Sequence, residues 1–105
     1  MTTVFRNANQ GAISNLDISN GLVTNYDLNA KPELTAHEFV DYGLSALDKR
    51  FFDFVPIYIN TSHGHLFNLL AQRKELIAFE ASKPFFEIGS FQGLDQFKKF
   101  AKKCL

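Results

Sequence analysis

The residues that invite a chemical reading first are Ser62-His63-Gly64-His65. Two histidines two positions apart on a strand point to one side and can share a metal. Such a site needs a further ligand. His37 is the third imidazole, and no spacing selects Asp41, Asp53 or Glu75 to complete the set. Gly64 between the two histidines suits a solvent-facing turn better than a regular strand, so neither metal nor cofactor is expected. A histidine is also the usual general base near neutral pH, and Tyr58, Thr61, Ser62 and Ser90 offer hydroxyls. None stands in a Gly-x-Ser-x-Gly elbow. Paired histidines suit RNA cleavage as well, one taking a proton and one giving it, but no motif here indicates it.

Charge offers two more candidates. Lys98, Lys99, Lys102 and Lys103 recur at helical spacing on one face, a pattern that phosphates or an acidic surface would suit. A solvated helix face looks the same. Asp41, Asp48 and Asp53 belong to an acidic first half, and together they make a candidate surface for a basic partner. Residues 1–53 carry net −3 and residues 54–105 net +3, and the whole chain is formally neutral. That balance argues against a whole-protein grip on nucleic acid. Phosphate-loop and dinucleotide patterns are absent from the sequence. Cys104, on the apolar side of a C-terminal helix, is expected to be a buried or idle thiol, since the helix end disfavours a thiolate.

These side chains must be positioned by a chain of 105 residues, the usual size of one domain. Its 46% hydrophobic and 21% charged content is that of a folded globular protein. Twelve phenylalanines and no tryptophan are more apolar ring than so small a core needs, so some rings are expected at the surface. One cysteine makes no internal disulfide. No apolar run reaches the ~20 residues that span a bilayer, and no signal-peptide pattern opens the chain. A cytoplasmic protein with no membrane partner is the resulting expectation.

The fold expected is α+β: a single domain with a largely antiparallel sheet of four to six strands. Helices at about 36–51 and 92–103 are expected to pack on one face. Thr35 with Glu38 forms a capping box, and Val40, Leu44, Leu47 and Phe51 recur at helical spacing behind it. In the last helix Leu94, Phe97, Ala101 and Cys104 make the apolar stripe, with Phe100 alongside. Residues 12–28 read as a hairpin around a three-residue turn, Ser19-Asn20-Gly21. A two-residue Asn-Gly turn would mix the apolar and polar faces. Residues 54–60 and 85–91 read as strands. Residues 63–81 fit a hairpin turning at Arg73-Lys74-Glu75 better than a helix capped by Ser62, because a helix running to residue 81 places charged side chains within its apolar arc.

Function expected on these grounds is that of a small intracellular protein–protein interaction module. An immunity-protein or antitoxin-type inhibitor that neutralises a partner by occlusion fits best, with a second copy of the chain as another conceivable partner. The alternative is a small histidine-dependent enzyme or metal-binding protein centred on His63 and His65.

Overall fold

The computed structural model describes residues 1–10, 12–31, 33–34, 36–55 and 60–105. Its strands are β1 (Thr2–Arg6), β2 (Leu16–Ser19), β3 (Leu22–Tyr26), β4 (Phe39–Ser45) and β5 (Ala78–Glu80). Two helices, α1 (His63–Gln72) and α2 (Phe91–Cys104), and a 3₁₀ helix over Lys49–Phe54 are the other elements among the described residues. The α+β expectation holds: one five-stranded sheet, order β3-β2-β4-β1-β5, antiparallel except where β5 joins β1.

The β2–β3 hairpin turns on two residues rather than three. Ser19 pairs with Leu22, and Asn20 and Gly21 both take positive φ (51° and 75°), the twist a two-residue hairpin requires. The faces nevertheless stay sorted. The register slips between Asp17 and Ile18, so Ile18 faces Val23 while Leu16 faces Tyr26. The bulge absorbs the one-residue shift that the tight turn introduces. Leu16, Val23 and Tyr26 are all buried in consequence.

The helix expected over 36–51 is not formed. Residues 39–45 are β4, and the helical geometry resumes only as the short 3₁₀ segment that Asp48 caps. Thr35, the expected cap, lies outside the described residues. Phe-Val-Asp-Tyr-Gly-Leu-Ser is β-branched and aromatic, and its Gly43 adopts φ +79°, a conformation no right-handed helix contains. Pairing with β1 on one side and β2 on the other outweighs the local helical stripe. Val40 is buried, but Leu44 of that stripe is 65% exposed.

The segment whose periodicity fits a hairpin forms a helix instead. Ser62 accepts a hydrogen bond from the His65 amide (3.3 Å) and starts α1, which ends at Gln72. Lys74 takes φ +59°, and the Lys74 and Glu75 amides donate back to Ala71 and Leu70. Ending there removes the conflict in periodicity, since Glu75 to Ala81 never belong to the helix. Leu66, Phe67, Leu70 and Ala71 form its inner face.

The sheet curls until its edges meet. Leu22 of β3 bridges to Ile77; the Val23 amide donates to Leu76 (2.8 Å) and the Ala78 amide to Gly21 (2.9 Å). Around this closure lies the core: Val4, Leu16, Val23, Tyr26, Phe39 and Leu76 from the sheet side, with Phe51 and the inner face of α1 packed on them. Phe5 and Val40, alternating with Val4 and Phe39, look the other way, toward a cleft bordered by residues 84–87 and the start of α2. The two helices therefore do not share one face. Residues 85–91 form no strand. Phe85 meets Tyr42 and Phe86 meets Phe97 and Phe100, so the segment ties α2 to the sheet by its rings. The expected strand over 54–60 falls mostly on residues 56–59, outside the described residues; Phe54 ends the 3₁₀ helix.

Candidate functional site

Each half of the Ser62-His63-Gly64-His65 motif goes its own way. On a helix, residues two apart point to nearly opposite sides, so folding as α1 separates the imidazoles that a strand would have aligned. His65 is exposed. His63, the first residue of α1, leans over the core: its ring meets Phe67 edge-on (5.1 Å between centroids) and approaches Tyr26 (6.4 Å). Among the described residues no group of three histidine, cysteine or carboxylate side chains could hold a metal ion.

Beside His63 stands Asp41, one of the three aspartates expected to make an acidic surface. Its position on β4, between buried Val40 and Tyr42, turns it toward the core side, and only 11% of its side chain is exposed. The Tyr26 hydroxyl donates to Asp41 Oδ2 (2.6 Å), and the Gly43 amide donates to Oδ1 (2.8 Å). His63 Nε2 is 3.7 Å from Oδ2. Burial, and then the hydrogen bond to Asp41 and its charge, push the Tyr26 phenol well above its ordinary pKa, so it remains the donor in this pair. These groups border a cleft of about 340 Å³ whose walls also include Ser45, Leu47, Phe51 and Phe67.

The other two aspartates are elsewhere in kind. Asp48 is exposed, caps the 3₁₀ helix and is gripped by Arg50 at two points (3.0 and 3.1 Å), which holds its carboxyl below the usual range. Asp53 is an exposed residue of the same segment. Of the remaining acids in the first half, Glu38 pairs with Arg6, and Asp17 and Asp27 close on His37. Much of the acidity is thus drawn into local pairs.

His37 is the buried imidazole that spacing did not single out. Its Nδ1 is 2.9 Å from Asp17 and its Nε2 3.1 Å from Asp27, and one tenth of the side chain is exposed. A neutral imidazole has one N–H; two carboxylate partners, one on each nitrogen, call for the imidazolium. Burial opposes that charge, but the hydrogen bonds to Asp17 and Asp27 outweigh it and raise the pKa above the ordinary value. Asp17 and Asp27 lie twenty and ten residues from His37, and only the hairpin brings them to its two sides.

Lys98, Lys99, Lys102 and Lys103 all lie exposed on α2, with Lys99 joined to Asp95 one turn back (2.7 Å). The opposite face of α2 carries Leu94, Phe97, Phe100, Ala101 and Cys104. Phe97 and Phe100 remain 40% and 47% exposed despite the contact with Phe86, and Cys104 is exposed rather than buried. Phe91 stands 96% exposed on the lysine side. None of the described helices is long and apolar enough to cross a membrane. The chain matches no protein-family model, and no curated protein or solved structure is significantly similar to it.

Proposed function

We propose that this protein is a small protein–protein interaction module that neutralises a partner by occlusion, as immunity proteins and antitoxin-type inhibitors do. The observation that carries the reading is the exposure of α2. Phe97 and Phe100 keep close to half their surface in solvent, and Phe91 nearly all of it. Burying a phenylalanine is worth about 1.5–3 kcal/mol, so rings left outside are apolar surface available to a partner. Lys103 edges the Phe97 and Phe100 side and Lys98 shares the side of Phe91, which fits a partner presenting apolar surface beside carboxylates.

The test uses the protein as purified from its own cells, beside a Phe97→Ser/Phe100→Ser double variant. Neither ring belongs to the core, so the circular-dichroism melt should stay cooperative even where the contacts with Phe86 are lost. A protein that co-elutes with the wild type in fixed stoichiometry and is lost from the variant supports the reading. A partnerless monomer, or a co-eluting protein indifferent to the double substitution, ends it.

The alternative of a histidine-dependent enzyme draws on one observation, the cleft in which His63 stands beside Asp41. It would rest on His63 with Asp41 rather than on His63 with His65. Replacing His63 by alanine without loss of function removes it.

A further inference from the structure

Asp41 is a carboxylate nine tenths buried, whose hydrogen-bond donors are the Tyr26 hydroxyl and the Gly43 amide, both neutral. A carboxylate accepts about four hydrogen bonds. One on each oxygen leaves further lone pairs, and the imidazole of His63, at 3.7 Å, is beyond hydrogen-bond length. Apart from Asp41 and His63, the described residues of the cleft are apolar or uncharged: Leu47, Phe51 and Phe67 supply its hydrophobic wall, and Ser45, whose hydroxyl shares a 2.8 Å bond with Thr2, supplies a second acceptor. Among the described residues neither lysine nor arginine lines it. Negative charge set beside aromatic rings in a space of about 340 Å³ is the complement of a small cation with an apolar tail.

We propose that this cleft is a binding site for an alkylammonium group. Its N–H bonds would reach the free lone pairs of Asp41 and the Ser45 hydroxyl, and its methylenes would lie on Phe51, Phe67 and Leu47. A charge-assisted hydrogen bond to a buried carboxylate sets the specificity. The apolar wall sets the length of the tail. His63 forms the exposed rim and gives way without disturbing the core, since 69% of its side chain is in solvent. The site is separate from α2 and stands or falls independently of the interaction reading.

Titration of the full chain with n-butylammonium chloride, followed by two-dimensional NMR, tests it. n-Pentanol is the neutral comparison of similar length, and acetyl-Gly-Lys-Gly-amide carries the same ammonium on a peptide. Saturable shifts confined to Asp41, Gly43, Ser45, Leu47, His63 and Phe67 are expected with the amine, and at least tenfold weaker binding of the alcohol. Whether the free amine or the lysine peptide binds more tightly tells which source of the group the cleft accepts; binding of neither overturns the proposal. Asp41→Asn should weaken the amine by about ten- to a hundredfold, the value of a hydrogen bond to a charged group. Should that variant fail to fold, Leu47→Lys serves instead. Leu47 is 40% exposed, and an ammonium placed there should exclude the ligand, whereas the uncharged Leu47→Gln should weaken it far less. Equal binding of amine and alcohol, or shifts unchanged by these substitutions, also overturns it.

Discussion

His37 concentrates the chemistry of the residue scale. Two carboxylates and one imidazolium share a space where neither acid alone would hold the ring so firmly, and the arrangement ties β2, the end of β3 and the approach to β4 together. Its pKa is raised in the fold, so the sign of the linkage is set: the folded form binds the proton more tightly than the unfolded chain. The stabilisation is complete below the ordinary histidine value near 6.5 and is lost as pH rises through the higher folded value. Asp27 moves the opposite way, lowered by the Asn29 amide and then by His37, so its contribution is present above the ordinary carboxylate range and lost as pH falls through the lowered value. Thermal melts of the wild type and of His37→Gln should therefore differ most between about pH 5 and 6.5 and converge at alkaline pH. A gap that stays constant to pH 9 would mean that the ring is neutral. Buried Asn7 and Ser14 stabilise the neighbouring loop without charge: Ser14 Oγ donates to Asn7 Oδ1 (2.7 Å) and accepts from the Asn9 amide (2.8 Å). Ser14→Ala leaves those buried groups unpaired and should cost about 1–3 kcal/mol in a denaturant titration.

At the scale of the element, α1 is well begun and poorly ended. Ser62 caps its start, while Lys74 must adopt the left-handed conformation that glycine normally takes at this position. A side chain there costs about 1 kcal/mol, and Lys74 is exposed, so nothing is lost by removing it. Lys74→Gly should raise stability by about 0.5–1 kcal/mol, read as a higher denaturation midpoint at unchanged slope. The same termination explains why periodicity over residues 63–81 misled. Neither a single helix nor a single hairpin describes a segment that is a helix, a left-handed stop and a strand. The tight Asn20-Gly21 turn is similar. Its two residues demanded the short loop, and the bulge beyond it, which no local pattern announces, kept the faces apart.

Over the whole molecule, α2 is the outlying part. The radius of gyration is 15.1 Å and the longest extent 44 Å, against about 13 Å for a compact chain of this length. The helix is attached through Phe86 and through a close approach at Gly93, where an added Cβ would lie 1.6 Å from the Glu87 carbonyl oxygen. Backbone cannot yield as a side-chain tip does. Gly93→Ala should therefore loosen α2 from the 84–90 segment while leaving the closed sheet intact. Hydrogen exchange should quicken across residues 91–104, with protection in β1 and β4 unchanged. Equal protection in both proteins would show that the attachment lies elsewhere.

Composition and local pattern determined what depends on neighbours in sequence: the α+β class, a hairpin turning near residues 19–21 though not its length, and α2 with its lysine and phenylalanine faces. They also foretold rings in excess of the core. Whether 39–45 would coil or extend was decided by β1 and β2, because ladder hydrogen bonds on both edges outweigh a few tenths of a kcal/mol of helical propensity per residue. The site was decided the same way. Asp41 was legible only as one of three aspartates of an acidic surface, and Tyr26 and His63 lie fifteen and twenty-two residues from it. Curling the sheet and laying α1 across it brought the three together, and no spacing along the chain encodes a distance that folding alone creates.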